Sequence, residues 1–353
     1  MHRPEDAASP FLSIVLTGRN DSYGRDFKER FFRTIRFNQA ELSARGVAHE
    51  FVFVEWAPTP GVPSLHELTL DAVPGLRSGA VRWYIADRQY QDALSLNPRL
   101  QYLEYVAKNV GVRRSHGRFV LATNCDIYLG RAVLDAVQAM TLRPRAVYRA
   151  PRHDLKLAVD PSNIDWQVLE DVRNLDGPPR RLKPPYLAGG TGDFLLLDRE
   201  TFHELRGFNE VYRSVRAGLD RNFVVKALSA GLPLVDIGGP VYHVNHVGTF
   251  RVASRQSAHA NAASTSAGER WNANAIVYQN PESWGLGDAP ETPLGDGLTR
   301  IEFSWDAVPP LVNLRGILLP AQRSQRSSDA NGGADSDLEV RGDANGPTRD
   351  TAP

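Results

Sequence analysis

The chain has 353 residues, of which 42% are hydrophobic and 9% are aromatic. This composition supplies a sizeable core and excludes a globally disordered protein. Its 41 basic residues balance its 41 acidic residues, which excludes the basic excess of a general nucleic-acid binder. A single cysteine, Cys125, excludes an intramolecular disulfide framework and a multi-cysteine metal cluster.

The apolar runs of the sequence are short. None reaches the roughly 18 uninterrupted residues of a membrane span, and residues 1–10 are polar, unlike a signal peptide. We therefore expect a soluble, cytoplasmic protein with no transmembrane segment. Peripheral docking at a membrane and the oligomeric state stay open at this stage.

The first half of the chain alternates strands with amphipathic helices. Strands are predicted at 11–17, 50–56, 81–86 and 119–123, and helices at 26–45, 100–112 and 132–140. This order is typical of an α/β domain whose central, mostly parallel sheet is flanked by helices. Ligands of such sheets bind beyond the carboxyl ends of the strands, where the polar segments 18–24 and 124–126 lie.

The second half of the chain has a different order of predicted elements. It predicts a loop at 178–185, strands at 194–197 and 232–237, helices at 199–205 and 219–230, and an extended segment at 241–247. We expect one α/β domain over residues 10–255 and a C-terminal extension over 256–320 that packs on it. Residues 321–353 contain few apolar side chains and are predicted to be a disordered tail.

Asn124 and Asp126 follow the fourth predicted strand. Residues one apart on an extended segment point the same way, and oxygen ligands suit Mg²⁺ or Mn²⁺ bridging phosphates. The alternative is an ordinary turn, which favours Asn and Asp. His243 and His246 offer imidazole ligands, although their spacing taken alone favours an exposed or hydrogen-bonded histidine pair. The sequence contains no HExxH that would indicate a zinc hydrolase.

Asp220 begins a predicted helix, where a carboxylate serves either as a helix cap or as a general base. The glycine-rich stretch 189–193 permits close backbone approach to a ligand. It lacks the P-loop pattern, and no GxGxxG follows the first strand, which disfavours kinase-like and classical dinucleotide binding. Arg149, Arg152 and Asp154 suggest either steering of an anionic ligand or a solvated basic loop.

Three segments follow one another along the chain. The first is Lys108-Asn109-Val110-Gly111, then Gly117 and a strand ending in Asn124-Cys125-Asp126. The second runs from Gly192-Asp193-Phe194 through Arg199 to Gly207-Phe208-Asn209-Glu210, and the third is Gly218-Leu219-Asp220. Over about residues 11 to 250, this order resembles glycosyltransferase family 2, the inverting nucleotide-sugar transferases with a GT-A fold.

The resemblance implies a nucleotide-sugar site. Its base and ribose would lie against Thr17, Gly18, Arg19, Asn20 and Asp21, with support from Lys108 and Asn109. Glu55 stands where the family carries an acidic pair after the second strand, and it is counted with the donor-binding residues. Trp271 and Trp284 are either sugar-stacking or buried aromatic residues.

The resemblance also implies the reacting groups. Asn124 would contact ribose or uracil, Asp126 would bind Mn²⁺ or Mg²⁺, and His243 or His246 would complete the coordination. Asp193 would lie beside the donor sugar or the acceptor, and Asp220 would be the catalytic base. Because Asn124 replaces the family's first acidic residue, weaker or lost metal use is expected.

The function implied is transfer of a sugar from a nucleotide-diphospho-sugar, expected to be a UDP-sugar, to an acceptor hydroxyl with inversion. The acceptor would be a sugar, a lipid-linked molecule or a small molecule. Two alternatives stay open: a non-catalytic nucleotide-sugar-binding module of the same fold, and a sugar nucleotidyltransferase.

Overall fold

The computed structural model describes residues 9–21, 26–73, 76, 81–98, 100–183, 192–214, 218–246 and 277–310. The predicted tail 321–353, glycine-rich residues 189–191, Trp271 and much of the predicted extension lie outside the described residues. The predicted boundaries at residues 255 and 320 therefore stay predictions.

The described residues form twelve strands and eight α-helices. The strands are β1 Leu12–Gly18, β2 His49–Trp56, β3 Val81–Ala86, β4 Phe119–Thr123, β5 Ile127–Tyr128, β6 Val147–Arg149, β7 Arg152–Leu155, β8 Phe194–Asp198, β9 Leu234–Asp236, β10 Val241–Val244, β11 Glu291–Gly295 and β12 Leu298–Ile301. The helices are α1 Phe27–Ala44, α2 Leu65–Ala72, α3 Arg88–Leu94, α4 Glu104–Arg113, α5 Arg131–Gln138, α6 Trp166–Glu170, α7 Arg199–Glu204 and α8 Leu219–Ser229. No described helix is long and apolar enough to cross a membrane.

Nine strands form the central sheet in the order β11-β12-β3-β2-β1-β4-β8-β6-β9. Strands β12, β3, β2, β1 and β4 run parallel to one another. Strand β11 is antiparallel to β12, β8 is antiparallel to both β4 and β6, and β9 is parallel to β6. Apolar side chains alternate across β1, so Val15 joins one core and Leu12, Ile14 and Leu16 join the other. Helix α4 covers the first face and α1 covers the second. The predicted α/β class with a mostly parallel sheet flanked by helices is confirmed.

A smaller sheet, in the order β5-β10-β7, lies beyond the end of β4. Its strand β10 pairs in parallel with β7, which sets His243 directly opposite Asp154. On its other side β10 pairs with β5, which sets His243 opposite Ile127. Buried Tyr128, Leu155 and Tyr242 help to form its own apolar cluster. This sheet therefore carries the predicted metal-binding histidine to the segment that follows β4.

The structure corrects two predicted elements. The segment holding Arg149, Arg152 and Asp154 is not a solvated loop, because it forms β6 and β7 and its charged groups are paired inside the protein. Helix α4 begins at Glu104 rather than at residue 100. The Gln91 side chain bonds the Leu100 carbonyl and the Leu103 amide at 2.7 and 3.1 Å, and holds this segment outside the helix.

Candidate functional site

Three potential metal ligands converge where β4 and β10 meet. The Asp126 Oδ2 atom lies 3.5 Å from Nε2 of His243 and 3.3 Å from Nε2 of His246. One ligand atom from each residue lies within 4.8 Å of the others, and all three residues are buried. The structure thus brings together the three residues that the sequence suggested as metal ligands.

The spacing and chemistry of these groups fit a divalent ion. Ligands bonded at roughly 2.1 Å are about 3.0 Å apart in octahedral and about 3.4 Å apart in tetrahedral geometry. The two distances from Asp126 Oδ2 to the imidazole nitrogens, 3.3 and 3.5 Å, lie close to this range. Because two of the three ligands are imidazoles, the set suits Mn²⁺ better than Mg²⁺, which prefers oxygen ligands.

Charges in this cluster are strongly coupled. Burial by itself would lower the pKa of His243, but the Asp126 and Asp154 carboxylates outweigh it and raise that pKa to about 9. Burial opposes ionisation of Asp126 as well, yet His243 and His246 hold its pKa well below its ordinary value. Metal binding requires neutral imidazoles, so a cation at this site competes with the proton for His243.

Asp193 links the end of β4 to the region of Asp220. Its Oδ1 accepts a 2.6 Å hydrogen bond from the Asn124 amide, and its Oδ2 forms an ion pair with Arg152. Asn124 in turn accepts a 2.7 Å hydrogen bond from Nζ of Lys108, which is fully buried. The Asn124 side chain therefore bridges a cation and an anion, whereas a carboxylate at this position would attract Lys108 but repel Asp193.

Asp220, the predicted base, lies at the first turn of α8 and against Gly192. A Cβ atom at Gly192 would overlap the Asp220 carboxylate, so glycine is required for this close approach. Burial raises the pKa of Asp220, and the nearby Asp193 carboxylate adds to the rise, while Arg149 opposes it. The result is a partly buried carboxylate with increased proton affinity next to Asp193.

Residues 17–21, which are predicted to bind the nucleotide at the end of β1, make most of their contacts within the protein. Asn20 is 1% exposed, and its side chain binds the backbone of Thr59 and Val62 at 2.7–3.2 Å. Arg19 forms an ion pair with Asp21. Thr17 accepts a hydrogen bond from the Tyr102 hydroxyl, and Gly18 packs against aromatic side chains. This loop is ordered by its own polar groups, and its predicted contact with a nucleotide stays a prediction.

Glu55 and Asn109 are similarly enclosed. Glu55 is fully buried at the end of β2 and accepts a 2.9 Å hydrogen bond from the Leu65 amide at the start of α2. Burial raises the pKa of Glu55 to about 7. Asn109 bonds the Phe208 backbone and the Glu210 carboxylate at 2.7–2.8 Å. Both side chains are therefore hydrogen-bonded to the scaffold in this structure.

Two further residues bear on the sequence predictions. Trp284 is 3% exposed and packs its ring against His203 and Arg113, which matches the buried interpretation. The Cys125 thiol is buried and lies 3.2 Å from the Thr17 carbonyl, and burial raises its pKa well above the ordinary value.

The sequence pattern does not connect Asp154 with metal binding. Only the register of β7 and β10 reveals the contact of Asp154 with His243.

No protein-family model and no curated protein sequence matches the chain. Among solved structures, GalNAc-T7 with UDP, GalNAc and Mn²⁺ aligns with a TM-score of 0.43 and 14% identity, over 69% of this chain and 45% of that chain. S. aureus TarS 1–349 aligns with a TM-score of 0.41 and 13% identity, over 75% of this chain and 69% of that chain. This chain thus spans less than half of the GalNAc-T7 chain.

Proposed function

We propose that the protein is a glycosyltransferase of the GT-A class that transfers a sugar from a UDP-sugar to an acceptor hydroxyl with inversion. The observation that carries the proposal is the convergence of Asp126, His243 and His246 at the carboxyl edge of a parallel sheet. Such edges are where α/β proteins bind their ligands. The sequence resemblance to glycosyltransferase family 2 supports the same class.

Asp126, His243 and His246 are the residues that would hold the metal ion. A divalent cation bound there would supply positive charge near a departing diphosphate, where negative charge develops in the transition state. The buried Lys108 ammonium lies 2.7 Å from Oδ1 of Asn124 at the same strand end, and the Glu104 carboxylate, 2.7 Å from its Nζ, balances its charge. Of Mn²⁺ and Mg²⁺, this ligand set suits Mn²⁺ better.

Asp220 is proposed as the general base. Its raised pKa increases its affinity for a proton, which suits a group that deprotonates an attacking hydroxyl. Asp193 is held by Asn124 and Arg152, so its carboxylate is oriented rather than mobile. We assign it to the sugar side of the site, where a fixed acceptor of hydrogen bonds orients donor or acceptor hydroxyls.

The test is a panel of UDP-sugars assayed for UDP release with Mn²⁺, with and without sugar, lipid-linked and small-molecule acceptors. Acceptor-dependent release that is lost in an Asp126→Asn variant of unchanged melting temperature is the expected result. An Asp236→Asn variant, altered at an exposed carboxylate of β9, is the matched control.

Each alternative gives a different outcome in the same experiments. A non-catalytic binding module would show saturable binding of a UDP-sugar, as a rise in melting temperature, without turnover. A sugar nucleotidyltransferase would release pyrophosphate from UTP and a sugar phosphate. Either outcome would replace the proposed function.

A further inference from the structure

Asp154 is a buried carboxylate that contacts one of the three potential metal ligands. Its Oδ1 atom lies 3.0 Å from Nδ1 of His243, and its side chain is fully shielded from solvent. The parallel register of β7 and β10 sets the two residues opposite each other. Their contact is therefore a consequence of strand pairing, and neither side chain has to extend from a flexible loop.

A hydrogen bond at Nδ1 determines what the other side of the imidazole ring does. When Nδ1 carries the proton and its N–H group donates a hydrogen bond to a carboxylate, Nε2 presents its lone pair to a metal ion. The Nε2 atom of His243 faces Asp126 at 3.5 Å, which is the direction of the other two ligands. Asp154 is thus placed where it selects the ligating tautomer of His243 and fixes the plane of its ring.

Two arginine side chains lie beside the Asp154 carboxylate and favour its ionised form. Nε of Arg152 lies 2.9 Å from Oδ1, and a guanidinium nitrogen of Arg180 lies 3.6 Å from Oδ2. An ionised carboxylate only accepts hydrogen bonds, so it cannot stabilise the opposite tautomer of His243.

We propose that Asp154 is a positioning residue for metal binding, which acts by orienting His243 towards an ion shared with Asp126 and His246. This inference rests on the metal site of the proposed function, and it adds a residue that touches neither the metal nor a substrate. Arg152 pairs with both Asp154 and Asp193, so the same guanidinium connects the metal side to the sugar side of the site.

The test measures Mn²⁺ affinity without turnover, from the electron paramagnetic resonance signal of free Mn²⁺. The proteins are wild type, Asp154→Leu, which removes the acceptor and keeps the branched shape of the side chain, and Asp154→Asn, which keeps one oxygen acceptor without the charge. We expect Asp154→Leu to weaken Mn²⁺ binding 10- to 100-fold, the range typical of lost outer-sphere partners, and Asp154→Asn to weaken it less. Asp171→Asn, which removes a carboxylate from a nearby turn, is the control and should bind like wild type.

A double-mutant cycle shows whether Asp154 acts through His243. In a His243→Gln background, Asp154→Leu should cause no further loss of Mn²⁺ affinity, because the ring that it orients is gone. A further loss as large as in the wild-type background would overturn the proposal, since Asp154 would then act by another route. If Asp154→Leu does not fold, Asp154→Asn decides: unchanged Mn²⁺ affinity in that variant overturns the proposal, and weakened affinity supports it.

Failure of this inference is distinguishable from failure of the proposed function. Wild-type protein that binds Mn²⁺ while both Asp154 variants bind equally well overturns only the positioning role. Mn²⁺ binding that depends on Asp154, in a protein that transfers no sugar, leaves the positioning role supported and removes the transferase. Wild-type protein that does not bind Mn²⁺ overturns both the positioning role and the metal site.

Discussion

Two sides of the predicted nucleotide-sugar site differ in how their polar side chains are used. On the histidine side, formed by Asp126, Asp154, His243 and His246, ligand atoms from distant segments point at one another. On the strand-one side, formed by residues 17–21 and Glu55, the side chains of Asn20 and Glu55 bind backbone groups that order neighbouring loops. Both sides lie at strand ends, and both contain the residue types that bind ligands.

A ligand site and a structural network differ in the groups that satisfy their polar side chains. Backbone amides and carbonyls satisfy Asn20 without placing any ionisable group against another. On the histidine side, buried carboxylates and imidazoles instead satisfy one another, so the pKa of Asp126 falls and the pKa of His243 rises. Such perturbed, mutually dependent groups are typical of functional sites.

The largest expected effect comes from the proposed base. Asp220→Asn should lower the turnover number by about 10²- to 10⁴-fold, because the amide cannot accept the proton of the attacking hydroxyl. The melting temperature should stay the same or rise, since burial already disfavours the charged form of Asp220. Steady-state kinetics and thermal unfolding measure the two quantities. Full activity in the folded variant would remove Asp220 from the mechanism.

Removal of the metal should have the next largest effect. Chelation of divalent ions should reduce sugar transfer by more than about 100-fold, because a bound cation contributes several kcal/mol of transition-state stabilisation. Mn²⁺ should restore more activity than Mg²⁺, since two of the three ligands are imidazoles. Initial rates after chelation and re-addition provide the measurement. Metal-free protein that keeps full activity would contradict the assigned role of the histidine side.

Asn109→Ala extends the comparison to a residue predicted to support the donor. Loss of its bonds to Phe208 and Glu210 should lower the free energy of unfolding by about 2–4 kcal/mol, because buried polar partners lose their hydrogen bonds. The KM for the donor should stay unchanged. Denaturant unfolding and initial-rate kinetics separate the two effects. A raised KM at unchanged stability would show that Asn109 supports donor binding.

Glu55→Gln tests the strand-one side through pH. Burial raises the pKa of Glu55 from 4.5 to about 7, so its charged form is disfavoured in the folded protein. The wild-type protein should therefore lose stability as the pH rises from 4.5 to about 7, and Glu55→Gln should remove that loss. At pH 8 the variant should be more stable by about 1–3 kcal/mol, while near pH 4 the two proteins should be alike. Urea unfolding at several pH values measures this, and a variant that is less stable at pH 8 would oppose the interpretation.

Asn20→Ala should have the smallest effect. It removes hydrogen bonds to Thr59 and Val62, which should cost about 1–2 kcal/mol of unfolding free energy. Mn²⁺ affinity should not change, because Asn20 belongs to the strand-one side. Chemical denaturation with parallel Mn²⁺ titration checks both points. An altered Mn²⁺ affinity would show that the two sides are coupled.

The pattern of apolar residues predicted the central strands closely. Residues 81–86 and 119–123 are continuous apolar or nearly apolar runs bounded by loop residues, and the structure contains strands with those bounds. The same reasoning missed β7, because Arg152, His153 and Asp154 carry no strand-like pattern. Their burial depends on partners such as Asp193 and His243, which no local window contains.

Periodicity and turn chemistry, which are local properties of the chain, predicted the α/β class and the strand ends where polar groups collect. Residue type made Asp126, His243 and His246 possible ligands, and the resemblance to glycosyltransferase family 2 assigned them to a metal ion. Only the tertiary structure decided that Asp154 faces His243 and that Glu55 faces the start of α2. The reason is physical: whether a polar side chain faces a ligand or the scaffold depends on strand register and on long-range partners.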